Sequence, residues 1–150
     1  MKKLNQKYKR IFVTILFLYS LFILWEMFLG PYRLKSNEIH YNIYPFKTIF
    51  DFIINFSISN LKNFIINIIA NILLFVPFGF LTKILFEKLN FKSITITYIF
   101  IIIILEIFQV TLRVGVFDID DILLNVLGVI LGYLIYNIIG LKFIFKKEIL

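Results

Sequence analysis

Four long runs of apolar residues dominate this sequence and constrain its fold more than any other feature. A helix that crosses the hydrocarbon core of a bilayer needs about 20 mostly apolar residues. The runs extend over residues 11–29, 64–86, 94–112 and 122–139. Hydrophobic residues make up 61% of the 150-residue chain, which is more than one soluble core of this size could bury. The sequence therefore predicts an integral membrane protein.

The expected fold is an all-α membrane protein with four transmembrane helices, in a single domain over residues 1–150. In a bilayer the backbone must satisfy its own hydrogen bonds, which favours helices even where β-branched Ile is abundant. The basic segment before the first run resembles the start of a signal peptide. However, the run is longer than the ~7–15 apolar residues typical of such peptides, and no small-residue cleavage site follows it. We interpret the first run as a retained anchor.

Basic residues predict how the helices are oriented. Short cytoplasmic loops retain Lys and Arg, and most of these residues fall in the N-terminal segment, the turn after the second run and the C-terminal segment. Both termini are therefore expected in the cytoplasm, and residues 30–63 become a long outer loop. The part from Lys47 to Lys62 is apolar but interrupted by Asp, Asn and Ser. It fits an interfacial or re-entrant segment better than a fifth span.

In this orientation, polar residues from different helices meet at one level near the outer face. An ionisable group at the bilayer centre costs roughly 2.5–3.5 kcal/mol on insertion scales. Glu106 should therefore face the bundle interior, with Arg113 or Gln109 on the same helix face as its partner. The predicted polar pocket consists of Asn67, Asn71, Glu106, Gln109, Arg113, Asp118, Asp121 and Asn125.

The stretch FDIDDILLNVLGVILGYLIYN, residues 117–137, joins three aspartates to the fourth apolar run. Asp121 is predicted to cap the fourth helix by accepting hydrogen bonds from its unpaired backbone N–H groups. Gly128 and Gly132 have the spacing of a small-residue groove, along which a second helix can approach closely. Because this groove continues into the acidic mouth, it is also a candidate path for a lipid tail.

Three blocks of the sequence resemble the VanZ-like family of small bacterial membrane proteins. They are NIYPF (42–46), NIIANILLFVPFGFL (67–81) and LEIFQVTLRVGVFDIDDILLNVLGVILGYL (105–134). The resemblance implies reduced susceptibility to lipid-tailed glycopeptide antibiotics such as teicoplanin, as for the founding member of the family. The expected location is the cell membrane of a Gram-positive bacterium. Outside the polar pocket, the positions expected to be structural are Asn42, Pro45, Pro77, Gly79, Gly128 and Gly132.

Structural roles compete with functional ones at several of these positions. Asn67 and Asn71 could hydrogen-bond between helices as packing contacts. Pro77 and Gly79 could kink or thin the second helix, because membrane helices tolerate both residue types. Glu106 could form an ion pair with Arg113 that only holds the bundle together.

Three functional classes are compatible with the pocket. The favoured one is a binding module for a lipid-linked or lipid-tailed cell-envelope molecule. The alternative is an intramembrane enzyme acting on a lipid-linked intermediate, with Glu106 or Asp121 as acid/base or with Asp118, Asp120 and Asp121 holding a divalent cation. A transporter is least favoured, because polar residues are sparse in the inner halves of the helices and no inverted repeat is visible.

The expected partners follow from these classes. They are membrane lipids and a lipid-linked cell-wall intermediate or lipid-tailed glycopeptide, and a homo-oligomer is compatible with the sequence. Nucleic acid is not an expected partner, and no cofactor or metal is expected. The chain has no cysteine, which excludes thiolate metal sites and cysteine nucleophiles.

Overall fold

The computed structural model describes residues 5–30 and 40–139. Its helices long and apolar enough to cross a membrane are Gln6–Leu29, Ile58–Leu85, Phe91–Thr111 and Ile119–Ile139. They confirm the predicted all-α membrane fold with four spans. The helices α1 to α6 and strands β1 and β2 are, in chain order, α1 Gln6–Leu29, β1 Tyr41–Asn42, α2 Lys47–Ile54, α3 Leu61–Phe64, α4 Asn71–Leu85, α5 Phe91–Thr111, β2 Phe117–Asp118 and α6 Ile119–Ile139.

The second span is a composite helix. A 3₁₀ turn at Ile58–Asn60 leads into α3, a π-helix at Ile65–Ala70 follows, and α4 completes the span. The span therefore begins before the apolar run from which it was predicted. Within the π-helical part, the Asn67 Nδ2 donates to the Asn63 carbonyl oxygen at 2.8 Å. This side-chain bond satisfies a backbone acceptor where the regular helical pattern changes.

The tightest helix pair is α4 with α6, which run parallel although α5 separates them in sequence. A Cβ built on Gly79 would overlap the Val129 carbonyl oxygen, and one on Gly128 would overlap the Ile72 carbonyl oxygen. Gly132 has the same relation to the Val76 carbonyl. We call this contact, defined by the three glycines, the α4–α6 seam. Without a strong hydrophobic force between helices in lipid, such close backbone packing is a principal source of association.

The groove that Gly128 and Gly132 form on α6 is filled by protein. The backbone of α4 fills the groove along Gly128 and Gly132, so the groove does not provide the lipid-tail path considered above. The surroundings of Gly128 and Gly132 instead agree with the interpretation that these residues let two helices pack closely. On the facing helix, Gly79 allows the same close approach, while α4 continues through Pro77 to Leu85.

Apolar side chains from all four spans surround the seam. The buried cluster contains Ile23, Met27, Phe75, Phe78, Ile94, Tyr98, Ile102, Ile122 and Val129. The first span is the most peripheral, since only 11% of its most apolar window is buried within the chain. The Tyr19 hydroxyl ties it to α4 by donating to the Leu74 carbonyl oxygen at 2.9 Å.

One end of the bundle carries a minimal parallel sheet, and we call it the sheet end. Tyr41 pairs with Phe117 and Asn42 pairs with Asp118. The sheet joins the chain before α2 to the turn between α5 and α6. With eight residues, α2 is too short to cross a bilayer. The prediction of one interfacial or re-entrant segment over Lys47–Lys62 was wrong at its end, because residues 58–62 begin the second span.

Candidate functional site

Asp118 organises the start of α6. Its Oδ1 accepts from the Asp120 backbone N–H at 2.9 Å, which is the geometry of a helix N-cap. Asp118 thus fills the N-cap position that the sequence interpretation assigned to Asp121, because α6 begins at Ile119, before the apolar run that was expected to start at residue 122. The carboxylate also accepts from the Asn42 Nδ2 at 3.2 Å and from the Thr48 hydroxyl at 2.6 Å. One side chain therefore connects α6, β1 and α2.

Asp120 anchors α2. It lay outside the predicted polar pocket and was considered only as a cation ligand in the enzyme alternative. Its side chain is 0% exposed, and its two oxygens accept from the backbone N–H groups of Phe46 and Ile49. These are N–H groups at the start of α2, so a carboxylate from α6 caps a helix from another part of the chain. No local pattern could reveal this contact, because Phe46 lies 74 positions earlier.

Phe46 has an unusual backbone conformation at this contact. Its φ angle is 66°, which is in the left-handed region that a bulky residue rarely adopts. The turn that contains it directs the Phe46 N–H at Asp120. Pro45, which precedes it, is exposed in the same turn. The NIYPF block is therefore the docking turn for α2.

Asp121 points to a different partner. Its Oδ1 accepts from the Asn71 Nδ2 at 2.7 Å, which links α6 to the start of α4 just beyond the seam. Asn71 also donates to the Asn67 carbonyl oxygen at 3.0 Å. Both side chains are half-buried. Of the two predicted amides on the second span, Asn71 reaches across to another helix, whereas the Asn67 Nδ2 bonds within its own span.

Asn125 lies one helical turn further into the bundle than Asp121. Its side chain is 3% exposed, and its Oδ1 has no hydrogen-bond partner within residues 5–30 and 40–139. Leaving such a buried acceptor without a donor costs about 1–3 kcal/mol. Apolar residues surround this position in the sequence of α6, and an apolar side chain would pack there at no such cost.

Two polar residues of α5 are also buried. Glu106 and Gln109 are each 2% exposed, in agreement with the expectation that Glu106 faces the interior. The Gln109 Nε2 donates to the Met27 carbonyl oxygen at 2.8 Å, near the end of α1. Gln109 therefore holds the first span against the third. The predicted pairing of Glu106 with Arg113 stays a prediction.

Arg113 follows the end of α5 in a left-handed backbone conformation that glycine normally adopts. Its φ angle is 57°, its N–H donates to the Val110 carbonyl, and the Val114 N–H donates to the Gln109 carbonyl. This bond pattern is a Schellman motif with Arg113 at the left-handed C′ position. A side chain there costs roughly 1–2 kcal/mol relative to the right-handed backbone. The exposed guanidinium is thus placed at the sheet end despite an unfavourable backbone.

The sheet end therefore brings together several of the predicted site residues. Asn42 contacts Asp118, and Asn71 contacts Asp121. The three aspartates have separate protein partners, and no group of three His, Asp or Glu side chains suited to a metal ion occurs in the described parts of the chain. The arrangement does not support the idea that Asp118, Asp120 and Asp121 share one cation.

Comparison with known protein families identifies one relationship. The sequence matches the model of the VanZ/LLP1 family over residues 8–140. The chain belongs to the VanZ/LLP1 family. Searches against curated proteins and against solved structures find no match.

The family match extends over all four spans and the sheet end. Within it, the block NIYPF supplies Asn42 of β1 and the turn before α2. The block from Leu105 to Leu134 supplies the Schellman motif, the aspartates and two seam glycines. The block from Asn67 to Leu81 supplies the opposite side of the seam. The three blocks that resembled the VanZ-like family thus supply the glycines of the seam and the polar contacts of the sheet end.

Proposed function

We propose that this VanZ/LLP1 protein binds the polar part of a lipid-linked or lipid-tailed cell-envelope molecule at the outer face of the membrane. Asn125 carries the proposal, because its buried Oδ1 has no donor within the described residues. A hydroxyl or amide N–H of a ligand would supply that donor. Sugar and peptide head groups are rich in both.

Other polar residues of the predicted pocket support a ligand that donates hydrogen bonds. Asp121 lies one turn closer to the sheet end, and Glu106 is a second carboxyl in the buried interior. These side chains provide acceptor oxygens, while Arg113 at the end of α5 could contact an anionic group of the same ligand. The set fits a polar head with several donors and a negative charge, as in a lipid-linked cell-wall intermediate.

Lipid retention tests the role of Asn125. We expect wild-type protein purified in gentle detergent to carry the ligand, detected by mass spectrometry of extracted lipids. Asn125→Leu should lose it while keeping or raising thermal stability, because the change removes a buried acceptor without a donor. The matched control is Asn137→Leu, an exposed amide on α6, which should retain the ligand. Equal retention by Asn125→Leu would refute the proposed site.

The outer location is a separate part of the proposal, supported by the distribution of basic residues. Both termini are proposed to be cytoplasmic and the sheet end extracytoplasmic. Since the chain has no cysteine, single cysteines can be placed at Val116 and Asn90, which are both exposed. An impermeant thiol reagent should label Val116→Cys and spare Asn90→Cys in intact cells. The reverse pattern would place the sheet end in the cytoplasm.

Membership of the family supports a role against lipid-tailed glycopeptides such as teicoplanin. Expression in a susceptible Gram-positive host should lower sensitivity to a tailed glycopeptide more than to an untailed one. Gln109→Ala, Arg113→Gln and Asp121→Asn should each abolish this effect at normal membrane abundance, whereas Lys88→Gln should be silent. Equal protection against both drugs would favour an enzyme that alters cell-wall precursors. No protection from either drug would refute the resistance role.

A further inference from the structure

A second polar site lies outside the bundle, between α2 and the start of the second span. It is an open pocket of about 220 Å³, smaller than the ~300–1,000 Å³ typical of sites for drug-sized ligands. Its lining combines phenyl rings with carboxylate and amide oxygens. No residue of the pocket belongs to the site around Asn125.

The polar lining contains one aspartate and three asparagines, Asp51, Asn55, Asn60 and Asn63, all of which carry acceptor oxygens. Asp51 contributes a carboxylate that makes no hydrogen bond or ion pair within the described residues. The Asn55 Nδ2 donates to the Asp51 carbonyl at 2.8 Å, and the Asn60 Nδ2 donates to the Asn55 carbonyl at 3.4 Å. Because these bonds orient the amide nitrogens toward the backbone, the amide oxygens remain available to accept.

The apolar lining is aromatic. Phe52, Phe56 and Phe64 border the pocket, and the rings of Phe56 and Phe64 meet edge to face with centroids 5.2 Å apart. The faces of phenyl rings carry negative electrostatic potential and attract cations. A negative carboxylate, neutral acceptors and aromatic rings therefore favour the same type of ligand, an organic cation with N–H donors.

We propose that this pocket binds a primary ammonium group. A primary ammonium has three N–H donors, which match the Asp51 carboxylate and the oxygens of Asn55 and Asn60. A trimethylated ammonium has no donor and would leave these acceptors unpaired. The apolar residues Ile53 and Ile54 on α2 are exposed, as in a helix that lies at a membrane interface. An ethanolamine-type lipid head group therefore fits the position of the pocket.

Binding of defined lipids to the full-length chain tests this proposal. Native mass spectrometry in detergent should show that phosphatidylethanolamine binds about tenfold more tightly than phosphatidylcholine, which is the difference expected for loss of one charge-assisted hydrogen bond. Asp51→Asn should remove most of this preference, and Phe56→Leu should reduce it. Phe50→Leu is the matched control, since Phe50 is exposed on α2 but does not line the pocket.

The source of the ammonium is decided by competition with soluble ethanolamine. Displacement of the lipid by ethanolamine would show that the ammonium group alone is bound. Failure of displacement would show that the lipid is required. Either result supports the site, provided that the wild-type protein prefers phosphatidylethanolamine to phosphatidylcholine. Equal binding of the two lipids by the wild-type protein would overturn the proposal, as would an undiminished preference in folded Asp51→Asn. Asn125→Leu should leave the preference unchanged, which separates this site from the proposed function.

Discussion

The α4–α6 seam and the sheet end join α6 to the rest of the bundle by different physical means. At the seam, glycines let backbone lie against backbone, with a carbonyl oxygen of the facing helix directly against each of them. At the sheet end, Asp118, Asp120 and Asp121 bind N–H and hydroxyl groups on β1, α2 and α4. Lipid weakens neither dispersion nor close packing, so glycine is effective at joining helices in the membrane interior. Carboxylates can join elements at an end of the bundle, where placing a charge costs less than at the bilayer centre.

The largest expected effect comes from breaking the seam. Gly132→Ala adds a Cβ that overlaps the Val76 carbonyl, and backbone cannot move aside as a flexible side chain can. We expect destabilisation by about 3 kcal/mol, at the upper end of the usual cost of overpacking. Detergent-based unfolding measures it, with the neighbouring lipid-facing change Leu131→Ala as the control. A Gly132→Ala protein as stable as this control would show that the seam is not a main source of stability.

Breaking the sheet end should have a smaller and more local effect. Asp120→Ala removes the acceptors of the Phe46 and Ile49 N–H groups and should cost about 2 kcal/mol. Hydrogen exchange of these amides should accelerate roughly 30-fold, while the spans retain their protection. Asp51→Ala on the same helix should not change the exchange of either amide. Acceleration throughout α4 and α6 would mean that the sheet end and the seam unfold together.

A comparison of two variants sharpens the account of the sheet end. Arg113→Ala and Arg113→Gly both remove the guanidinium, but only glycine adopts the left-handed C′ position without steric cost. The glycine variant should be more stable than the alanine variant by about 1 kcal/mol in the same unfolding assay. Equal stability would indicate that the turn after α5 rearranges when the side chain is lost.

The smallest expected effect concerns the attachment of α1 beside the seam. Tyr19→Phe removes the hydrogen bond to the Leu74 carbonyl and should cost about 0.6 kcal/mol, the average found for such bonds between membrane helices. Tyr44→Phe, on an exposed tyrosine outside the spans, serves as the control for loss of a hydroxyl. A loss above about 2 kcal/mol would exceed the range for these bonds and show that α1 is more than a peripheral helix.

The sequence predicts the spans well because the bilayer imposes a length and a composition on each of them. The glycine spacing at Gly128 and Gly132 also indicates close helix packing, since it depends on the period of one helix. The identity of the partner helix is not encoded locally. The sequence therefore leaves open whether a helix or a lipid tail fills the groove, and in the structure α4 fills it.

The candidate site was less predictable because its contacts are long-range. Asp118, Asp120 and Asp121 are nearly adjacent in sequence, which suggested a shared mouth or cation site. Successive positions of a helix point about 100° apart, so the aspartates reach different partners, and the partner of Asp120 lies on a turn that has no apolar period. The two-residue sheet is too short for alternation to indicate it. Burial of Glu106 and Gln109 could be predicted, because lipid excludes such side chains from the outer surface.

The connectivity of the seam has a consequence for how this protein is made. Its closest helix pair joins the second span to the fourth, so α4 enters the membrane before its partner has been synthesised. Until α6 arrives, the surface of α4 around Gly79 has only lipid or other helices beside it. Domains generally fold in the order of synthesis, but here the tightest contact must form last. A nascent chain stalled before α6 therefore lacks the main contact of the bundle, and such chains are expected to be substrates for membrane quality control.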